Sequence, residues 1–235
     1  MENLHSFLIV PFGNVAALDE AYRAQPDAII LEFRDNFGGP DFTSALTKGR
    51  PSIIIFVRLS SVRSHCFRQE LDIIMPVEPE GILLSETNGV DDIALCSARL
   101  SVAEAENNLR EGQIRIIASI ESNIGILASQ KFYQTMGAPS FQRLAALAWN
   151  EQSLRNENAV RPDQPLSTAL RHHYQNIVFT AARSINLPAI DTASPNREIV
   201  SFTDESRYAA RMGYSAKIAL FPEQVQVINE AFDKA

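Results

Sequence analysis

Eight short apolar runs, each followed by a longer stretch with helical spacing of its apolar residues, make up the chain. The runs cover residues 6–12, 27–33, 51–59, 81–84, 115–121, 144–149, 187–191 and 217–220. They are rich in β-branched and small apolar residues and end in polar or turn-forming positions. Strands buried on both faces of a parallel sheet read this way. Between them, Asn14 caps a helix carrying Val15, Leu18 and Tyr22 that must end before Pro26. Pro40 suits the first turn of a helix closed at Gly49, and a further helix is expected over 62–74. A helix begins near Val90, and Ser101 with Glu104 reads as a capping box that restarts it. The pattern then predicts a helix over 124–136, a polar loop from Asn150 to Gln164, and a long helix over 165–185. Thr203 is expected to cap a helix closed at Gly213, and 222–235 forms the last one.

Strands that alternate with helices imply a parallel sheet, and eight such units close naturally into a TIM (β/α)8 barrel. No composition break divides the chain, so one barrel domain over residues 1–235 is expected. The rival, an open doubly wound sheet with a dinucleotide site, would need a G-x-G-x-x-G after a strand, and none occurs.

Composition narrows the function classes. Of 235 residues, 46% are hydrophobic, enough for a large core, and the net charge is −7. Such a charge argues against non-specific nucleic-acid binding and against anionic membrane surfaces. An anionic substrate would therefore need local arginines or backbone N–H groups. Cys66 and Cys96 are too few for a disulfide framework, so a reducing cytoplasm is the simpler expectation. The first residues, Met-Glu-Asn-Leu-His-Ser, lack a basic region and an apolar core, and no apolar run reaches transmembrane length. A soluble, cytoplasmic protein is expected.

In a barrel, the C-terminal strand ends converge on one mouth. Taken in order, they offer Asn14, Glu32 with Asp35, Arg58, Glu86, Glu121, Glu151, Asp191 and Lys217. Carboxylates there could hold Mg²⁺, which takes hard oxygen ligands, and an arginine could clamp a substrate carboxylate. Together they suit chemistry on an α-keto or β-hydroxy acid, where an enolate must be stabilised. The same residues also read as an ion-pair network holding loops, and Glu121 alone as an acid at a helix N-terminus. His172 and His173 are adjacent on a helix and face different ways, and His5 and His65 have no partner at ligand spacing. Cys66 and Cys96 read as core or flanking residues. No G-x-S-x-G, P-loop or H-E-x-x-H is present.

Several stretches resemble one family. They are Leu8-Ile-Val-Pro-Phe-Gly13, Asp27-Ala-Ile-Ile-Leu31, Val57-Arg58, Gly81-Ile-Leu-Leu84, Ile117-Ala-Ser-Ile-Glu121, Pro188-Ala-Ile-Asp191, Lys217, and Pro222-Glu-Gln-Val-Gln-Val-Ile-Asn-Glu-Ala-Phe232. In these, the chain resembles the HpcH/HpaI aldolase superfamily, in its citrate lyase beta-subunit-like branch, from Phe7 to Phe232. That branch includes malyl-CoA and citramalyl-CoA lyases. The resemblance implies a TIM barrel that makes or breaks a carbon–carbon bond in a small keto or hydroxy acid or its CoA ester, with Mg²⁺ stabilising an enolate. It implies that Arg58 grips substrate oxygens and that Glu121 is a metal ligand; with them, Asn14, Asp191 and Lys217 at the strand tips are expected to contribute to substrate binding. Homo-trimers or hexamers are usual in that family.

The departures are as informative. The family's second metal ligand is an Asp in Phe-Gly-x-x-Asp-Leu, but this chain reads Trp149-Asn-Glu-Gln-Ser153-Leu154, which leaves Glu151 as the substitute ligand. The family's Ile-His-Pro is here Leu220-Phe221-Pro222. Its Asp-x-Glu-Asp is Glu32-Phe33-Arg34-Asp35, and its Pro-Lys is Ser85-Glu86. The last two changes are reciprocal, so Arg34 and Glu86 are expected to form a charge-swapped ion pair at the mouth. The sequence given ends at Ala235, where the family commonly continues into a segment covering a neighbour's site, so a more open mouth is expected. A weakly held or lost Mg²⁺ follows, and the alternative to a lyase is a catalytically degenerate barrel serving as a binding or assembly subunit.

Overall fold

Among the described residues, eight parallel strands pair in sequence order and close on themselves, the first hydrogen-bonded to both the second and the eighth. They are β1 Ser6–Pro11, β2 Ala28–Glu32, β3 Ile54–Leu59, β4 Gly81–Leu84, β5 Arg115–Ile120, β6 Leu144–Trp149, β7 Ala189–Asp191 and β8 Ala216–Ala219. The computed structural model describes residues 4–33, 42, 46, 53–135, 137–161, 164 and 166–233. Among these, the helices are α1 Val15–Ala24, α2 Phe67–Ile74, α3 Val90–Glu106, α4 Asn123–Ser129, α5 Glu151–Glu157, α6 Thr168–Ser184, α7 Ile199–Met212 and α8 Pro222–Phe232. This is the expected TIM (β/α)8 barrel. The helix expected over 40–49 lies outside the described residues apart from Phe42 and Leu46, both buried. No helix among the described residues is long and apolar enough to cross a membrane.

Side chains alternate along each strand, so the barrel wall separates two cores. Phe7, Ile30, Phe56, Leu83, Ile117 and Ile190 fill the interior together with alanines of β2, β6 and β8. The rings of Phe7 and Phe56 lie 5.6 Å apart and supply volume that Ala146, Ala148 and Ala216 do not. The opposite faces of the same strands pack outward against the helices. Gly81 leaves no room for a side chain within the wall. A Cβ there would sit 2.7 Å from both the Arg115 carbonyl oxygen and the Phe56 ring. Gly81→Ala is therefore expected to cost about 1–3 kcal/mol through overpacking, read as a lower urea midpoint at unchanged slope.

Three local expectations are corrected. Ser101 and Glu104 do not restart a helix, because α3 runs unbroken past them. Spacing of three residues puts both on one helical face, which serves a shared partner as well as it serves a cap. That partner is Arg143. Its Nη1 and Nη2 donate to the two Glu104 oxygens at 2.7 Å each, and Nη2 also reaches Ser101 Oγ at 2.9 Å. Glu104 further accepts from the N–H groups of Gly112 and Ile114, so the motif bolts α3 to the start of β5 and β6. Thr203 lies inside α7 with its hydroxyl on the Ile199 carbonyl, and the cap is Glu198, which accepts from Val200 and Ser201 N–H. Gly213 does close that helix, at φ 95. Finally, part of the expected loop after Asn150 is α5, capped by Asn150 accepting from Ser153 N–H.

Candidate active site

The alternation that fills the interior continues to the strand tips. Glu32 follows Ile30, Arg58 follows Phe56, Ser85 follows Leu83, and Glu121 follows Ile117 and Ser119, all at intervals of two. These four side chains therefore emerge on the inner face, above the apolar plug. Arg58 is the centre of the group. Its Nη1 donates to Glu32 at 3.0 Å, its Nη2 to both Glu121 oxygens at 3.0 Å, and its Nε to Ser85 Oγ at 3.0 Å. Ser153, in the first turn of α5, donates its hydroxyl to Glu121 at 3.2 Å. Glu121 is buried, while Arg58 and Glu32 keep part of their surface exposed. Charge-assisted bonds of this kind hold the guanidinium plane fixed.

A second charged group faces the first. Arg171 of α6 pairs with Glu151 at 2.7 Å and approaches Glu205 of α7 at 3.8 Å. Burial works against the Arg171 charge, but Glu151 outweighs it, with help from Glu205 and Asp191, and raises its pKa above the ordinary arginine value. Between the two groups lies a cavity of about 470 Å³ whose walls include Glu32, Arg58, Glu151, Arg155 and Arg171. One wall is the loop 193–196, which buried Gln224 ties down. Its amide donates to the carbonyls of Ser194 and Asn196 and accepts from the N–H groups of Leu220 and Phe221.

The other expected site residues lie elsewhere. Asp191 and Lys217 are turned away from the mouth, because their inward neighbours are Ile190, Ala216 and Ile218. They are 1% and 2% exposed and pair at 2.6 Å behind the barrel wall. Trp149 Nε1 and Gln175 Nε2 complete the hydrogen bonds to Asp191. Asn14 spends its side chain capping α1 through Ala17 N–H. Arg34 and Asp35 lie outside the described residues, so the expected Arg34–Glu86 pair does too. Glu86 itself is exposed, with a left-handed backbone at φ 50. His172 stacks on Tyr208 while His173 is exposed. Cys96 is buried, and burial pushes its thiol up to about 12, which suits packing and not nucleophilic attack. Sequence reasoning missed Ser85 as a partner of Arg58, and missed Arg155, Arg171 and Glu205 altogether. The last three sit on helices, where apolar spacing carries no signal about which polar residue leans over the mouth.

No family model matches the chain. The citrate lyase subunit beta-like protein of Deinococcus radiodurans is 22% identical over 245 aligned residues, covering 97% of this chain and 80% of that protein. The mitochondrial citramalyl-CoA lyase of Rattus norvegicus is 26% identical over 75% of this chain, which spans 53% of that enzyme's length. In sequence the chain is thus similar to the citrate lyase beta-subunit-like branch of the HpcH/HpaI superfamily. Solved structures of this branch share the fold. The citrate lyase beta subunit of M. tuberculosis with oxaloacetate and magnesium superposes with TM-score 0.70 at 16% identity, covering 97% of this chain and 96% of that one. The M. tuberculosis protein CitE with magnesium, acetoacetate and coenzyme A gives 0.72 at 16% identity, with 99% and 82% covered.

Magnesium in those structures raises the question of whether these residues would accept it. Glu32 and Glu121 converge on one position, and the Arg58 guanidinium already occupies it. Glu151 is committed to Arg171, and Ser153, where the branch has an Asp, offers only a neutral hydroxyl. Among the described residues, no group of three His, Cys, Asp or Glu side chains is arranged to hold a metal. The arrangement does not fit a preformed Mg²⁺ site.

Proposed function

We propose that the chain is a carbon–carbon bond lyase acting on a small keto or hydroxy acid, or on its CoA ester. The observation that carries this reading is Arg58, clamped at convergent strand tips between Glu32 and Glu121 at 3.0 Å. Cleavage of a β-hydroxy acid requires a base to take the hydroxyl proton. The electron pair of the breaking carbon–carbon bond passes into an enolate, and the hydroxyl carbon leaves as a carbonyl. A fixed guanidinium is suited to the enolate oxygen, and the carboxylates beside it to the proton. Relatives named citrate lyase beta-like and citramalyl-CoA lyase support the reaction class. Neighbours holding oxaloacetate, or acetoacetate with coenzyme A, support a carboxylate or acyl-CoA ligand.

Glu121 and Glu151 are the residues Mg²⁺ would have to recruit, each at the expense of an arginine, so its affinity for the free protein is weak in this reading. A homo-trimer or hexamer, which rests on the resemblance alone, and a cytoplasmic location, which rests on the low cysteine count, complete the reading.

A second reading, a catalytically degenerate barrel acting as a binding or assembly subunit, is favoured by Ser153 and Phe221 at the positions of the branch's Asp and His. Calorimetric titration of metal-stripped protein separates the two. Oxaloacetate, pyruvate and acetyl-CoA would be added with and without Mg²⁺, followed by assay for cleavage or condensation products. Heat with a keto acid, together with turnover, is the expected result. No heat and no product in any combination would leave only the second reading.

A further inference from the structure

We propose that Arg155 recognises a second carboxylate on the substrate and so makes the site prefer a dicarboxylate. The proposal rests on the keto-acid reading above and deepens it. Among the described residues, four cations belong to the site or its wall, and three are already neutralised. Arg58 is shared by Glu32 and Glu121, Arg171 by Glu151 and Glu205, and Lys217 is buried with Asp191 behind the wall. Arg155 lines the same cavity and has no carboxylate partner among the described residues.

Its neutral contacts orient it without discharging it. Nη1 donates to the Gln164 carbonyl at 3.2 Å and Nη2 to Gln152 Oε1 at 2.7 Å. Nε is buried and without a partner. A guanidinium carries five N–H donors, so three remain, along with the whole charge. That combination accepts a planar anion bidentately. Position reinforces the assignment, because α5 also carries Ser153, whose hydroxyl holds Glu121. One short helix, capped by Asn150, thus sets the Arg155 guanidinium relative to the Arg58 cluster. A substrate reacting at Arg58 and anchored at Arg155 needs an anionic group at each end.

The test compares oxaloacetate with pyruvate, which lacks the second carboxylate, on the unaltered chain and on Arg155→Gln and Arg155→Lys, by calorimetry. In the unaltered chain oxaloacetate is expected to bind about ten- to a hundredfold tighter than pyruvate, the size of a hydrogen-bonded charge pair. Arg155→Gln should bring the two within about twofold by weakening oxaloacetate alone, and Arg155→Lys should fall between, keeping charge but losing the fork. Unchanged oxaloacetate affinity in Arg155→Gln would overturn the proposal and leave the lyase reading standing. Equal weakening of both ligands would also overturn it, since a merely structural α5 behaves that way. Coenzyme A alone forms a third arm, and weaker binding there with oxaloacetate unchanged would reassign Arg155 to a phosphate. If the unaltered chain binds neither keto acid, this proposal and the reading beneath it both fail.

Discussion

Glu121→Gln is expected to lower kcat by about a hundred- to a thousandfold while leaving keto-acid affinity equal or tighter, the scale of losing one preorganised electrostatic contact. Both Glu121 oxygens accept from Arg58 Nη2, and one also accepts from Ser153. Glutamine keeps the shape but turns one of those acceptors into a donor facing a donor. The guanidinium loses an anchor and, with only Glu32 left, carries less compensation. An anionic ligand then meets less repulsion, so binding does not suffer, whereas the aligned charge at the reacting centre does. Steady-state kinetics on purified protein check both halves. A raised KM with kcat unchanged would show that Glu121 only helps to bind the ground state, and would remove it from the chemistry.

The largest stability effect is expected at Arg143. Arg143→Met should cost about 3–5 kcal/mol at neutral pH, because it strands a buried carboxylate. Glu104 is fully buried. Burial alone would raise its pKa, but the bonds from Arg143 and from the N–H groups of Ile114 and Gly112 outweigh that and hold it below the ordinary carboxylate value. A folded pKa below the unfolded value, about 4.3 for glutamate, contributes stability that is present above the unfolded pKa. That stability is lost as pH falls through the folded one. In Arg143→Met the balance reverses, since burial now prevails and protonation relieves the stranded charge. The deficit relative to the unaltered chain should therefore shrink on acidification from pH 7 to pH 4. Urea denaturation at both pH values checks this, and a deficit under about 1 kcal/mol or independent of pH would contradict it. Adding Glu104→Leu to Arg143→Met should recover much of the loss, as paired replacements of buried ions often do.

The barrel was legible because its signal is local. Each strand carries its own buried run, each cap acts within a few residues, and eight repeats leave few ways to close. Arg58 and Glu121 were legible for the same reason, since a charge at the end of an apolar run marks a strand tip without reference to any partner. What failed locally did so for identifiable reasons. The residues of α5 include Leu154 as their one buried apolar side chain, so no periodicity announces a helix held by its cap and by contacts across the mouth. Ser101 and Glu104 have the spacing of a cap, and only the arrival of Arg143 from before β6 shows that they form a buried ion-pair socket.

Lys217 and Asp191 mark the boundary most clearly. Strands β7 and β8 are short and buried throughout, so nothing in their own pattern says which residues face in. That parity is set by register against neighbouring strands once the barrel closes. The sequence by itself determined the eight strands, the order in which they must pair, and the charges that reach their tips. Only the tertiary structure decided which charges meet. Ion pairs join residues far apart in the chain, and on the strands a single step of register moves a side chain from the mouth to the far side of the wall.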